Sequence, residues 1–355
     1  MENNNLTDRR YDLDILRIFA TFIVVMLHVS GEYWYDVEFN TPGFNAVEWN
    51  IFNIYDGLCR WCVPVFVMIS GALFLRRDHS IEKLYKKNIL RMFTAFYSWS
   101  TIYAVFTYLQ GYPLRKALIC LIKGYYHMWF IFMMAGLYMI VPFLRKIVVD
   151  RKLMRYFLVL GFIFSFVIPQ TVEFVKLFSI RYNIHLYELF DEFYFRFATG
   201  FSFYFVLGYF LDTIKFTKKQ TRIIYCIGLL GIVGTVGATT VLVYTTGYLN
   251  ELFYRNFTVN VLIESVFVFI LFKNLFGNVK FSEKASRIIY KLSKYSFGAY
   301  LIHAMLIIIF GNLGLSAISF NPAGAVPVIS ILVFVASYLI SFILNQIPIV
   351  KKYMV

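Results

Sequence analysis

ILRIFATFIVVMLHVSGEY, residues 15–33, is the stretch whose reading decides the fold. As a helix it is long enough to cross the roughly 30 Å hydrocarbon core of a bilayer. It also carries two ionisable groups, Arg17 and His28. The eleven-residue step between them is three helical turns plus roughly 20°, so they share a face, roughly 16 Å apart along the axis. Ionisable side chains at such depth are costly, so by default they line a polar cavity and mark a working site. Imidazole is the side chain best suited to proton transfer near neutral pH. The structural alternative is an arginine that snorkels to the interface and a histidine bonded to a neighbouring helix.

Working outward, the rest of the chain has the same character. Of 355 residues, 60% are hydrophobic, 20% aromatic and only 15% charged, a composition a soluble domain of this size does not have. The apolar runs predict an all-α fold, a polytopic membrane bundle of about ten transmembrane helices over 15–33, 51–75, 90–109, 126–144, 153–169, 193–211, 223–246, 258–277, 296–315 and 326–349. The chain reads as one transmembrane domain, 1–355, with no cleavable signal peptide.

Lys and Arg set the expected topology. They cluster before the first segment (Arg9, Arg10), between the second and third (Arg76 to Arg91) and between the fourth and fifth (Arg145 to Arg155). Further clusters follow the sixth (Lys215 to Arg222) and eighth (Lys280 to Lys294), and Lys351 and Lys352 close the chain. The loops 34–50 and 316–325 hold none. This alternation predicts that both termini are cytoplasmic. It also accounts for the net charge of +14 through insertion and anionic lipid, with no nucleic-acid partner. The four cysteines carry little: Cys59 and Cys62 flank Arg60 and Trp61 within an apolar helix, without the strand that precedes a redox motif, and no Cys/His spacing suits zinc. No metal is expected.

With that topology, His28, Glu264, Arg60, Arg196 and His127 fall in one outer layer, with His303 nearer mid-membrane. Acyl transfer to a hydroxyl suits such a layer: His28 as base, Glu264 to orient its imidazole, Arg60 or Arg196 for the oxyanion. Glu264 equally suits a structural pair with one of those arginines, and Arg60 and Arg196 suit pairing or snorkelling. A transporter also fits a polar layer under aromatic loops.

Five pieces in order resemble the acyltransferase 3 family of membrane O-acyltransferases. Asp14-Ile-Leu-Arg17-Ile-Phe-Ala20 with His28 is similar to its Arg-x10-His signature, and Pro64-Val-Phe-Val-Met-Ile-Ser-Gly71 to its Phe-x-x-Ser-Gly pattern. His127-Met-Trp129-Phe, Phe205-Val-Leu-Gly208-Tyr and Ser296-Phe-Gly298-Ala-Tyr-Leu-Ile-His303 resemble three more. The likeness runs over about residues 10 to 345. It implies transfer of an acyl group, most often acetyl from cytoplasmic acetyl-CoA, to an extracytoplasmic acceptor such as a surface glycan or its lipid-linked precursor. It further implies a bacterial cytoplasmic membrane, and as the alternative, since some proteins that resemble the family are proposed to move glycans, an exporter or flippase of a glycan or lipid-linked sugar without acyl-transfer chemistry. Arg17 and His28 match the pair required for activity, and the depth argument adds Glu264 to the catalytic set as the carboxylate that orients the His28 imidazole. Asp14, Arg60, His127, Trp129 and Arg196 are the expected substrate-side residues; Arg17, Lys87 and Arg91 are expected to hold the donor. The family's paired arginines before the third helix are replaced in part by Lys86-Lys87-Asn88, which supplies charge without the guanidinium fork. The hydrolase-like domain appended in some relatives is not expected.

Overall fold

The computed structural model describes residues 9–36, 45–78, 80–178 and 200–355, and among these there is no strand. The helices are α1 (Tyr11–Tyr35), α2 (Ala46–Cys59), α3 (Cys62–Phe74), α4 (Leu90–Leu109), α5 (Leu114–Lys123), α6 (Trp129–Val149) and α7 (Arg151–Phe162). After them come α8 (Ile168–Phe178), α9 (Phe201–Thr213), α10 (Lys218–Thr246), α11 (Val259–Phe276), α12 (Glu283–Asn312), α13 (Pro322–Leu344) and α14 (Pro348–Tyr353).

Eight helical stretches are long and apolar enough to cross a membrane: Tyr11–Tyr35, Ala46–Phe74, Leu114–Val149, Arg151–Leu177, Lys218–Thr246, Leu252–Phe276, Glu283–Asn312 and Pro322–Leu344. They coincide with eight of the expected segments. Of the other two, 90–109 is α4, and 193–211 is described only in its second part, as α9. The protein is a multi-pass helical membrane protein. The last expected segment ends early: α13 stops at Leu344, and α14 is a separate short helix opening on Pro348, whose fixed φ suits a first helical position.

The expected second segment is two helices. Pro64 has no N–H to offer the carbonyl of Arg60, four residues earlier, and the chain breaks at Arg60–Trp61 before the ladder resumes with Val65 N–H to Trp61 C=O at 3.1 Å. Asn45 caps the start of α2 by accepting the Val47 and Glu48 N–H groups. The break matters because it sets Arg60 at a bend inside the bundle.

α1 is central, packed against α2, α3, α11, α12 and α13. Its helix start is tied down by charge. Arg10 bonds both Asp12 and the buried Asp212 of α9, which also takes Arg76 at 2.5 Å. Lys273 of α11 donates to the carbonyls of Leu211, Asp212 and Ile214, satisfying the free C-terminal end of α9.

Candidate active site

One cavity of about 1420 Å³ joins the start of α1 to its far end. Arg9, Arg17, Val24, Leu27 and His28 line it in sequence along that helix. At the Arg17 end it is bounded by the stretch Leu84–Ile89, a π-helical run that leads into α4, by Tyr290 and Lys294 of α12, and by Lys351 and Lys352 of α14. At the His28 end lie Arg60, His127, Trp129, Tyr254, Asn256 and Tyr300. Ten of the lining residues are Lys or Arg, and none is Asp or Glu. A low-dielectric passage lined by charge of one sign concentrates anions. Its volume exceeds the 300–1,000 Å³ usual for small-molecule sites, so it suits a long ligand.

Arg17 lies half-buried on α1, its Nη1 donating to the Ser293 hydroxyl of α12 at 3.0 Å and 3.4 Å from Asp14 Oδ1. Asp14 is buried and also takes Arg9 and the Ser293 hydroxyl. It therefore stands behind Arg17 and does not line the cavity, while it orients the two arginines that do. Lys87 and Arg91 line the cavity near its charged mouth; the Arg91 guanidinium donates to the Val355 carbonyl oxygen.

His28 meets three rings from two other elements. Its centroid is 5.1 Å from Tyr126, 6.5 Å from His127 and 5.1 Å from His303. Tyr126 and His127 come from a 3-10 turn, Tyr126–Met128, between α5 and α6. Gly124, at φ +76°, lets the chain leave α5 sharply enough to make that turn. The Tyr300 hydroxyl of α12 ties it down by donating to the His127 carbonyl. Trp129 follows on the first turn of α6, its ring 5.7 Å from Phe201. Among the described residues no group of three or more His, Cys, Asp or Glu side chains has the arrangement to hold a metal ion.

Arg60 is ion-paired with the buried Asp56 one turn earlier, and its guanidinium lies 4.1 Å from the Tyr254 ring centroid. Tyr254 in turn donates to the backbone carbonyl of Asn53. Arg60 is thus both structurally paired and presented to the cavity, and its buried Nε has no hydrogen-bond partner.

Glu264 is placed elsewhere. It is fully buried on α11, accepts the Thr235 hydroxyl of the adjacent α10, and is not among the cavity's lining residues. The carboxylate–imidazole pair expected with His28 is not formed, because α11 turns this position toward α10. Arg196 lies outside the described residues. What sequence reasoning missed is His303 as a neighbour of His28 and the donation of Lys294, Lys351 and Lys352 to the cavity wall. Their signal was present, as an ionisable group deep in a helix and as loop charge, but it was read only as depth and topology.

Residues 10–345 match the family model described as an acyltransferase domain. No curated protein and no solved structure matches the chain.

Proposed function

The chain belongs to the acyltransferase 3 family, with membrane acyl transfer as its general activity, and from that premise we propose that it moves an acetyl group from cytoplasmic acetyl-CoA to a hydroxyl on an extracytoplasmic glycan or its lipid-linked precursor. The whole chain acts as one unit in a bacterial cytoplasmic membrane, both termini inside, and the donor enters from the Lys/Arg-rich mouth. The observation that carries this reading is the cavity itself: ten cations and no acid along a passage that ends at His28.

Coenzyme A is a polyanion on a long flexible arm. Lys83, Lys86, Lys87, Arg91, Lys351 and Lys352 meet its phosphates as point charges and guanidinium donors. Arg17, held by Asp14 and Ser293, grips the arm part-way, and the apolar wall of Val24, Leu27, Val63 and Phe66 keeps water from the thioester. At the far end His28 takes the proton of the acceptor hydroxyl as its oxygen attacks the thioester carbonyl. The carbonyl oxygen gains charge beside Arg60, the C–S bond breaks, and the proton passes from His28 to the departing sulfur, leaving an ester and free CoA thiol. His127 and Trp129 shape the acceptor side of the same pocket.

Labelled acetyl-CoA given to purified protein with glycolipid acceptors tests this. The expected result is transfer by the wild type and a loss of at least about a hundredfold in His28→Ala. Equal transfer by both removes His28 from the chemistry. Glycan export that persists without any acetyl transfer replaces the enzyme by an exporter or flippase.

A further inference from the structure

α14 is too short to set its own direction. It has six residues and opens on Pro348 after the turn at 345–347, and a lone helix of that length is not stable in itself. None of its residues is buried. Lys351, Lys352 and Tyr353 nevertheless line the charged mouth of the cavity, so contacts beyond the helix must hold it there.

The hold falls on the residues that end and follow it. Trp99 of α4 donates its indole N–H to the Met354 carbonyl at 3.0 Å, and the Arg91 guanidinium of the same helix donates to the Val355 carbonyl. Trp99 is buried, and a buried indole N–H requires the acceptor that Met354 provides. The Thr94 hydroxyl reaches the Tyr353 carbonyl at 3.1 Å, sharing its one proton with the Leu90 and Arg91 carbonyls of its own helix. The Met354 and Val355 N–H groups both turn back to the Val350 carbonyl, at 2.8 and 3.2 Å, which closes α14 as its end meets α4. The Val355 side chain is only 2% exposed. It fills the space beside Gly298 of α12, where an added methyl group would come within 3.2 Å of it.

We propose that residues 353–355 are a latch for the donor mouth: clasped by α4 and α12, they seat Lys351 and Lys352 where the acyl-CoA phosphates enter. Trp99 is thereby a positioning residue of the donor site, acting through α14 without touching the ligand. The inference rests on acyl-CoA as the donor in the reading above. Arg91 joins the two parts, since it clasps Val355 and also lines the cavity. Donor held by the seated lysines favours the latched state, and by the same linkage an opened latch costs donor affinity. The chemistry at His28 lies at the other end of the cavity, so the latch governs donor binding and leaves the transfer step alone.

Trypsin cleavage after Lys352 reads the latch with no donor present, because cleavage follows the population of the opened segment. Trp99→Phe, which keeps a ring and loses the N–H, and Val355→Gly, which alters the latch itself, are each expected to speed it about fivefold. Cleavage at the wild-type rate in both overturns the latch. Calorimetry with coenzyme A reads the consequence. Trp99→Phe combined with Val355→Gly is expected to weaken coenzyme A binding at least about threefold with kcat unchanged. In protein already carrying Lys351→Ser and Lys352→Ser, the same pair is expected to change binding by less than about twofold, because the latch acts through those lysines. Wild-type binding in the latch variant, or the same loss in both backgrounds, overturns the positioning role and leaves the donor reading standing. A wild type that binds no coenzyme A overturns the donor reading and the latch's part in it together.

Discussion

Gly71 of α3 and Gly208 of α9 are packed reciprocally, each against the other helix's backbone. A methyl group on Gly71 would collide with the Phe205 carbonyl, and one on Gly208 with the Met68 carbonyl. Without a hydrophobic force between helices in lipid, such small-residue contacts are what let two backbones pack closely. Both glycines belong to the sequence pieces that resemble family signatures, so those pieces carry packing as well as chemistry. Gly71→Ala and Gly208→Ala are each expected to lower stability by about 1–3 kcal/mol or more, read as a drop in melting temperature in detergent. Because they disturb one contact, the double variant is expected to cost less than the sum of the two.

Asp212 is fully buried at the side chain and receives Arg10 and Arg76, which are 27% and 42% exposed. Asp212→Asn leaves two guanidinium groups facing a neutral amide. The expected cost is about 1–3 kcal/mol, below that of breaking a wholly buried pair because water screens the arginines. Thermal unfolding measures it, and Arg10→Gln is expected to relieve part of the loss.

Glu264 separates the arrangement expected from depth from the one in the structure. Glu264→Gln keeps an oxygen to accept the Thr235 hydroxyl and removes the ionisable carboxyl group. If Glu264 serves the helix contact alone, kcat stays within about threefold of wild type. A loss of a hundredfold or more would return Glu264 to the proton-transfer machinery.

Lys351 and Lys352 extend the cationic wall from α14, where they carry no part of the expected chemistry. Lys351→Ser with Lys352→Ser is expected to raise the acyl-CoA KM severalfold and to leave kcat unchanged. Raising salt from low to physiological strength is expected to do the same to the wild type and less to the variant, since the Debye length falls to about 8 Å. Initial-rate measurements over a salt series check both.

Much of the site was legible as depth and little of it as neighbourhood. Arg17 and His28 share a face of one helix, and the structure sets both on one cavity. Pro64 is the residue that makes the bend at Arg60, but the apolar run around it reads as one continuous segment, 51–75. Glu264 and His28 lie at similar depth, yet that single coordinate does not say which helices touch. His303 was equally visible in the sequence, but 275 positions separate it from His28.

The chain alone pointed to the eight stretches that form helices long and apolar enough to cross a membrane, because the cost of transferring residues into lipid is set locally, residue by residue, along each stretch. It likewise determined that Arg17 and His28 face one way, which follows from helix geometry. Only the tertiary structure decided that α1 lies against α12, bringing His28 to His303, and that α11 turns Glu264 to Thr235. Lateral neighbours in a bilayer are chosen by close packing of particular surfaces, such as Gly71 on Gly208's helix, and by polar contacts between residues far apart in the chain.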